Sequence, residues 1–154
     1  MKLLSWNVRG LGNSVKRRWV KLLLKDRKID FVFFQETKKS EVTPDFVKSL
    51  WPVDEMEFMV VNSEGRAGGL LCIWKPTVFK LSQCCSTRHC SVLSGTLLPN
   101  LICVLVNVHA PNEVNERSRF WNVLYGLRPS FYNPWCLVGD FNEIRNLGER
   151  RGCS

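Results

Sequence analysis

Several features that would place this chain of 154 residues in a large class of proteins are missing from it. No apolar run approaches the roughly 20 residues that a membrane-spanning helix needs, and the N-terminus lacks the apolar core of a secretory signal peptide. No Asn-x-Ser/Thr glycosylation site occurs either. These absences argue against the membrane and secreted classes, and they predict an intracellular protein of the nucleus or the cytoplasm.

The short motifs of several enzyme classes are also missing. There is no Gly-x-x-x-x-Gly-Lys-Ser/Thr loop, which a P-loop NTPase needs, and no Gly-x-Ser-x-Gly turn of a serine hydrolase. Only two histidines occur, His89 and His109. Metal-ligating side chains cluster at Cys84, Cys85, His89 and Cys90, but their spacing matches no standard zinc pattern and neighbouring strand residues point to opposite faces. A zinc hydrolase is therefore not predicted.

Acidic residues are scarce in the first 28 residues. That segment holds nine basic side chains and one acid, Asp26, whereas residues 29–154 hold thirteen of each sign, so the whole net charge of +8 belongs to the N-terminal segment. A local basic face indicates an anionic partner, of which nucleic acid is the commonest; a solvated helix face is the alternative. The candidate nucleic-acid contacts here are Arg9, Arg18, Lys21 and Lys25.

Hydrophobic periodicity predicts alternating strands and helices along one uninterrupted α/β unit. The predicted strands are residues 2–8, 29–35, 57–61, 70–74, 79–83, 91–97, 101–108 and 135–138. The predicted helices are residues 14–28, with Ser14 as the cap, 44–50 and 116–127. The apolar face of the first helix is predicted to be Val15, Trp19, Leu22 and Leu23, and that of the last helix Phe120, Val123, Leu124 and Leu127.

Polar side chains follow four of the apolar strands. They are Asn7, Gln35-Glu36, Asn107 with His109, and Asp140 with Asn142. Any one of them can be a simple exit to solvent, but in layered α/β folds ligands bind where such strand ends converge. Carboxylate and amide oxygens suit Mg²⁺ or Mn²⁺. The residue types therefore favour metal-assisted phosphoester hydrolysis, in which a metal polarises the phosphate and a carboxylate prepares the attacking water.

At these positions the chain resembles the endonuclease/exonuclease/phosphatase superfamily, which includes DNase I and the apurinic/apyrimidinic endonucleases. The motifs that carry the resemblance are SWNVRGL (5–11), QETK (35–38), NVHAPN (107–112) and GDFN (139–142), in that order. The sequence is most similar to the endonuclease domains of LINE-type (non-LTR) retrotransposons of plant genomes, through EGRAGGLLCIW (64–74), RFW (119–121) and the segment from Glu143 to Gly152. The ordered set is far more specific than any motif alone.

The resemblance implies an α/β fold, a four-layer sandwich of two packed mixed β-sheets flanked by helices. It also implies roles for single residues. Glu36 would be the main metal ligand, with Asn7 beside it in the metal and phosphate shell. Asp140 would orient or deprotonate the attacking water, and Asn142 would contact the scissile phosphate. Asn107 would shape the cleft from its strand end and belong to the nucleic-acid-binding residues. The implied cofactor is Mg²⁺ or Mn²⁺, and the implied partner is DNA.

Two departures from the superfamily's pattern bear on activity. His109 stands where the superfamily usually has Tyr; an imidazole also hydrogen-bonds phosphate but is shorter, so reduced activity is expected. A C-terminal Ser-Asp-His motif with its strands is absent after Asn142. Residues 1–154 are therefore expected to form a single partial domain, incomplete at its C-terminal end and weak or inactive by itself.

Three interpretations of function remain open at this point. The first is a fragment of an Mg²⁺-dependent DNA-nicking endonuclease, whose full-length ancestor would carry a reverse transcriptase domain on the same chain. The second is another branch of the superfamily that acts on RNA or a different phosphoester. The third is a non-catalytic retroelement remnant that at most binds nucleic acid, with affinity that falls steeply with salt.

Overall fold

Strands and helices alternate through residues 1–143, the part of the chain that the computed structural model describes. The strands are β1 (Leu3–Asn7), β2 (Phe31–Gln35), β3 (Glu57–Val61), β4 (Leu70–Trp74), β5 (Phe79–Ser86), β6 (Cys90–Leu97), β7 (Leu101–His109) and β8 (Trp135–Asp140). The α-helices are α1 (Ser14–Asp26), α2 (Pro44–Leu50) and α3 (Val114–Gly126), and a short 3-10 turn spans Arg128–Ser130. Each strand and helix predicted from the sequence is present, with ends shifted by a few residues. The motif from Glu143 to Gly152 lies outside the described residues except for Glu143 itself.

The strands form two four-stranded mixed sheets. The first has the order β1-β2-β4-β3, with β1 and β2 parallel and the other neighbours antiparallel. The second has the order β5-β6-β7-β8, with β7 and β8 parallel. Because β1 runs parallel to β2, and β7 to β8, the carboxyl ends of the two strands of each pair lie side by side at one edge of their sheet.

Three buried clusters separate four layers. Helices α1 and α2 cover one face of the first sheet, and α3 covers the outer face of the second. Between the sheets the contact is aromatic and sulfur-rich, since alternate residues of each strand point inward; Phe31 stacks on Phe33 and Trp74 with ring centroids 4.4 and 5.2 Å apart. The predicted four-layer α/β sandwich is confirmed.

The predicted face of α1 is wrong. Trp19 is 68% exposed, whereas Val20 and Leu24 are buried against the first sheet and α2. The buried stripe continues toward the N-terminus of the helix through Lys16 and Arg17. Their stems pack inward while the Lys16 ammonium contacts the Val8 carbonyl and the Arg17 guanidinium donates to the Leu11 and Gly12 carbonyls, 2.9 and 2.7 Å away. These two positions are polar in the sequence, although their stems pack inward in the structure.

Two smaller predictions about the helices also need correction. Asn13, not Ser14, caps α1, and its Oδ1 accepts hydrogen bonds from the Val15 and Lys16 backbone N–H groups. On α3, Val123 is 52% exposed, while Phe120 and Leu124 are buried as predicted. None of the helices in residues 1–143 has the length and apolar character needed to cross a bilayer.

Candidate functional site

The polar residues at the four strand ends meet at one place, as the sequence predicted. Asn7 is the last residue of β1, Glu36 follows β2, and His109 and Asp140 end β7 and β8 opposite each other. The two sheets are joined here by the Asn7 amide, which donates to Asp140 Oδ2 at 2.9 Å although 133 residues separate the two. The site therefore depends on how the sheets pack and not on any one segment.

Asn7 is a bridge between two carboxylates. Its Nδ2 donates to Glu36 Oε1 at 3.0 Å as well as to Asp140, and its Oδ1 accepts the Arg9 backbone N–H at 3.2 Å. With the amide in this orientation, the group facing the carboxylates is the NH₂ and not the oxygen. To act as the metal ligand expected from the sequence, Asn7 would have to turn its oxygen inward and give up the bond to Arg9.

Glu36 is held in a strained backbone conformation. Its φ is 55°, in the left-handed region that a residue with a side chain seldom adopts, and Arg9, Lys38 and Asn142 nearby share that region. The conformation is fixed by Gly10 N–H, which donates to the Glu36 carbonyl at 2.6 Å, and by Thr37 N–H, which donates to the Gly69 carbonyl at 3.1 Å. Each such residue costs about 1–3 kcal/mol, and strain of this kind clusters at functional sites.

Asp140 has both carboxylate oxygens occupied by defined donors. Oδ2 accepts from Asn7, and Oδ1 accepts the Asn142 backbone N–H at 3.1 Å. The Asn142 side chain donates to the Ala110 carbonyl at 2.6 Å, which leaves its second N–H and its oxygen for another partner. The carboxylate is therefore oriented in advance by β1 and by the loop that comes after β8.

The turn into this loop requires glycine at position 139. Gly139 has φ 136°, and a Cβ there would lie 1.9 Å from the Val108 carbonyl oxygen. This close approach allows β8 to lie against β7 up to its last residue, since His109 pairs with Asp140 and Ala110 N–H donates to the Asp140 carbonyl at 2.9 Å. Asp140 is thereby brought next to His109.

His109 completes a group of possible metal ligands. Its Nε2 lies 3.4 Å from Glu36 Oε1, and one ligand atom from each of Glu36, His109 and Asp140 lies within 4.8 Å of the other two. The His109 backbone is held by a reciprocal pair with His89: His109 N–H donates to the His89 carbonyl at 2.9 Å, and His89 Nδ1 donates to the His109 carbonyl at 3.1 Å. Two carboxylates and an imidazole that lie this close together form a donor set that fits a divalent cation.

Asn107, expected among the nucleic-acid-binding residues, is completely buried. Its Oδ1 accepts from Gln35 Nε2 at 2.6 Å, and its Nδ2 donates to the Phe34 carbonyl at 3.1 Å. A direct contact with nucleic acid does not fit this position, and that expectation is corrected: Asn107 ties the second sheet to the first behind the site. Its partner is Gln35, for which no role of its own was predicted from the sequence.

The neighbouring thiol of Cys72 is inert for the same reason that Asn107 is inaccessible. Full burial raises the pKa of Cys72 to about 12, although a hydrogen bond from Asn107 at 3.5 Å opposes the rise. The group therefore stays a neutral thiol between the sheets. Exposed thiols in the described part of the chain are those of Cys84 and Cys136, and Cys84, Cys85, His89 and Cys90 form no metal-binding group there.

Two clefts flank the cluster of Glu36, His109 and Asp140. The first, about 790 Å³, is lined by Asn7, Asp140, Asn142 and Arg117 among others. The second, about 670 Å³, lies on the His109 side and is lined among others by His89, Arg88 and Arg119. Asn112 borders both clefts. Arg117 is fixed by Glu143 Oε2, 2.7 Å from its Nε. These three arginines line the clefts, and only the three-dimensional structure shows that they do.

The basic residues predicted from the sequence are placed differently. Arg9 is exposed two residues after Asn7, beside the cluster. Arg18, Lys21 and Lys25 lie on α1 and line neither cleft, and Lys21 Nζ donates to the Lys48 carbonyl at 2.8 Å. Lys25 lies at the end of α1 that leads into β2, whereas Asn7 and Glu36 lie at the other ends of β1 and β2. Their contact with nucleic acid stays a prediction.

Comparison with known proteins agrees with this arrangement. Residues 4–153 match the model of the Endonuclease/Exonuclease/phosphatase family. No curated protein sequence matches the chain.

Solved structures with a similar fold include the following three. The Xenopus laevis APE2 catalytic domain is 16% identical, with a TM-score of 0.69 over 93% of this chain and 59% of that one. The endonuclease domain of TRAS1, a telomere-specific non-LTR retrotransposon, is 13% identical, with a TM-score of 0.67 over 93% and 61%. The D. rerio TDP2 complexed with single strand DNA product is 19% identical, with a TM-score of 0.64 over 92% and 60%. The chain spans about three fifths of each of these structures.

Proposed function

Because this chain belongs to the Endonuclease/Exonuclease/phosphatase family, we propose that it is a divalent-metal-dependent phosphodiester hydrolase, derived from the DNA-nicking endonuclease of a non-LTR retrotransposon. The family assignment supports phosphoester chemistry. The similarity in fold to a retrotransposon endonuclease domain and to a protein solved with single strand DNA product favours DNA as the substrate. In the ancestral protein a reverse transcriptase domain would follow on the same chain.

The observation that carries the proposal is the meeting of Asn7, Glu36, His109 and Asp140. They come from four strand ends, and their polar atoms lie within hydrogen-bonding or metal-ligating distance of one another. A single polar strand end is an ordinary exit to solvent. Two carboxylates held by one amide beside an imidazole, with Glu36 in a strained backbone conformation, have no comparable structural purpose.

The residues divide the work of phosphodiester hydrolysis between them. Glu36 and Asp140 would hold Mg²⁺ or Mn²⁺, which when bound polarises a phosphoryl oxygen and neutralises its charge. Asp140, oriented from both sides by Asn7 and Asn142, would position the attacking water and accept its proton. The free N–H of Asn142 would donate to an oxygen of the scissile phosphate.

The two clefts provide a path for a strand on either side of this phosphate. Arg117 lines the first cleft, and Arg88 and Arg119 line the second. Phosphates that enter these clefts meet cations on both sides of the metal-ligating cluster, which positions the backbone without reading the sequence. The α1 stripe of Arg18, Lys21 and Lys25 would contact phosphates outside the clefts.

We also propose that the 154-residue chain is a weak catalyst. Within residues 1–143 the acidic and histidine ligands form one cluster, and both histidines of the sequence, His89 and His109, lie on the same side of it. A second imidazole facing the phosphate from the opposite side is not found in this part of the chain. Loss of one member of a group that acts as a unit costs most of the rate.

Nicking of supercoiled plasmid by the purified chain, with and without Mg²⁺ or Mn²⁺, tests the proposal. Slow conversion to the open circle is expected, dependent on the metal and lost in both Glu36→Gln and Asp140→Asn. Glu55→Gln is the matched control, because Glu55 is an exposed acid next to the start of β3, at the far end of the first sheet. Nicking that persists in Glu36→Gln, or that needs no metal, contradicts the proposal; rapid metal-dependent nicking contradicts only the weak activity.

A further inference from the structure

The imidazole of His109 is placed where a third ligand of one metal ion would lie. Its Nε2 is 3.4 Å from Glu36 Oε1. Two ligand atoms each about 2.1 Å from the same ion lie roughly 3.0–3.5 Å apart, according to the angle between them. Asp140 also offers a ligand atom within 4.8 Å of the other two residues, so the three side chains lie close enough together to close on a single ion.

The surroundings of His109 favour this use of the ring over a freely moving one. The His109 side chain is 18% exposed, and the backbone is fixed on both sides by the reciprocal hydrogen bonds with His89. Gly139 lets β8 approach β7 so that Asp140 stands opposite His109 in register. The position of the imidazole is therefore set by the same packing that sets the second carboxylate.

Imidazole differs from carboxylate in the ions that it favours. Carboxylate, carbonyl and water oxygens suit Mg²⁺, whereas an imidazole nitrogen favours first-row transition ions such as Co²⁺ and Zn²⁺. The phenol expected at this position from the family resemblance offers no nitrogen. The exchange at residue 109 therefore changes the chemistry of the ligand set as well as its reach toward the phosphate.

We propose that His109 is a metal ligand through Nε2 and that it makes the site selective for a first-row transition ion over Mg²⁺. The inference rests on the proposed function, because it uses the same cluster, but it concerns the identity of the ion and of its third ligand. Glu36 and Asp140 supply the charge that any divalent cation requires. His109 decides which cation is held most tightly.

Affinities for Co²⁺ and Mg²⁺, measured by titration calorimetry on the full chain and its variants, test the selectivity. His109→Tyr is expected to weaken Co²⁺ binding at least about tenfold while Mg²⁺ binding changes less than about threefold. His109→Gln, which offers an oxygen of similar reach, should behave in the same way. Cys84→Ser/Cys136→Ser is the control, since it removes the exposed thiols, which can also bind Co²⁺, and should leave the affinities of the cluster for both ions unchanged. Circular dichroism verifies that each variant is folded.

Pulsed electron paramagnetic resonance of the Mn²⁺-loaded chain tests the ligand directly. A coupling to one imidazole nitrogen is expected in the parent and in Cys84→Ser/Cys136→Ser, and it should be absent in His109→Gln and His109→Tyr. An unchanged Co²⁺ to Mg²⁺ ratio in His109→Tyr, or no nitrogen coupling in the parent, overturns the inference and leaves the proposed function standing. Wild-type binding of both ions in Glu36→Gln overturns both.

Discussion

Gln35 Nε2 donates to Asn107 Oδ1 at 2.6 Å, and both residues are buried between the two sheets. Gln35 comes one residue before Glu36, and Asn107 two residues before His109. This hydrogen bond therefore sets the spacing of the two sheets next to the metal-ligating cluster. The bond stabilises the fold while both partners are present, because a polar group that loses a partner in a dry environment costs free energy.

Replacement of Asn107 by Leu is expected to destabilise the fold. It removes the acceptor of Gln35 Nε2 at 2.6 Å and the donor to the Phe34 carbonyl, while Gln35 keeps its bonds to the Phe33 carbonyl and Ser5 Oγ, so the expected loss is about 1–3 kcal/mol in the free energy of unfolding, measured by denaturant titration. The double variant Gln35→Leu/Asn107→Leu should recover part of this loss, since two apolar side chains can pack against each other where the amides met. If Asn107→Leu kept full stability and lost only DNA affinity, the residue would be a nucleic-acid contact after all.

Replacement of Asn7 by Asp tests the bridge between the carboxylates. An aspartate cannot donate to Glu36 and Asp140 and adds a third negative charge beside them, so a loss of about 2–3 kcal/mol is expected without divalent cations. Millimolar Mg²⁺ or Mn²⁺ should restore much of that stability, as followed by the melting temperature. Asn7→Leu, which adds no charge, is the control and should gain less from the cation than Asn7→Asp does. Absence of rescue in both variants would argue against a cation at the cluster.

Replacement of Gly139 by Ala is expected to disrupt the approach of β8 to β7. The Cβ would meet the Val108 carbonyl oxygen at 1.9 Å, and the φ of 136° is strained for any side chain. A loss of about 2–4 kcal/mol is expected from denaturant titration. Gly126→Ala is the matched control, because a Cβ at the end of α3 meets nothing within 4 Å and is expected to be neutral or stabilising by about 0.5–1 kcal/mol. Similar stability of the two variants would contradict the close approach.

Asp30 makes folding stability depend on acid pH. Burial by itself raises the pKa of Asp30, but hydrogen bonds from Lys75 and from the Lys2 backbone N–H, together with the charge of Lys75, outweigh it and hold the pKa below its ordinary value. A carboxyl with a lowered folded-state pKa stabilises the fold above its unfolded pKa of about 3.9 and loses that contribution as pH falls through the folded value.

Stability measured between pH 2 and pH 6 checks this dependence. The parent should lose stability below about pH 4, and Asp30→Asn should show a shallower decline together with lower stability at pH 6. Asp54→Asn, a change at an exposed acid, is the control and should keep the slope of the parent. The effect is modest, because the Asp30 side chain is still 19% exposed and water therefore screens part of its attraction to Lys75. A slope that stays the same in Asp30→Asn would rule out this group as the source.

The salt dependence of DNA binding separates the clefts from α1. Neutralising the second-cleft pair, Arg88→Gln/Arg119→Gln, is expected to lower the slope of log affinity against log salt by about two, one for each phosphate contact. The pair on α1, Arg18→Gln/Lys25→Gln, carries the same change of charge and should have the smaller effect, because those residues line neither cleft. The opposite order would restore the basic stripe of α1 as the main contact.

The sequence alone determined the secondary structure of this protein and the strand ends at which its candidate site lies. The alternation of apolar residues predicts every strand and helix of residues 1–143, since hydrogen bonding along one segment and the period of its apolar face are local properties. The motifs also placed Asn7, Glu36, His109 and Asp140 at strand ends. These local patterns were enough to predict one α/β unit and the place of the site, while the four-layer arrangement was implied by the family resemblance of the motifs.

Only the tertiary structure decided which atoms meet. The inward face of α1 runs along Val20 and Leu24, and Lys16 and Arg17 belong to it because their side chains bind backbone carbonyls beneath them. Asn107 is buried because its oxygen accepts a hydrogen bond from Gln35 of the other sheet. The Asn7 amide reaches Asp140 across 133 residues, and three arginines line the clefts from separate segments. Such contacts depend on the packing of two sheets against each other, a long-range property that no local pattern of residues contains.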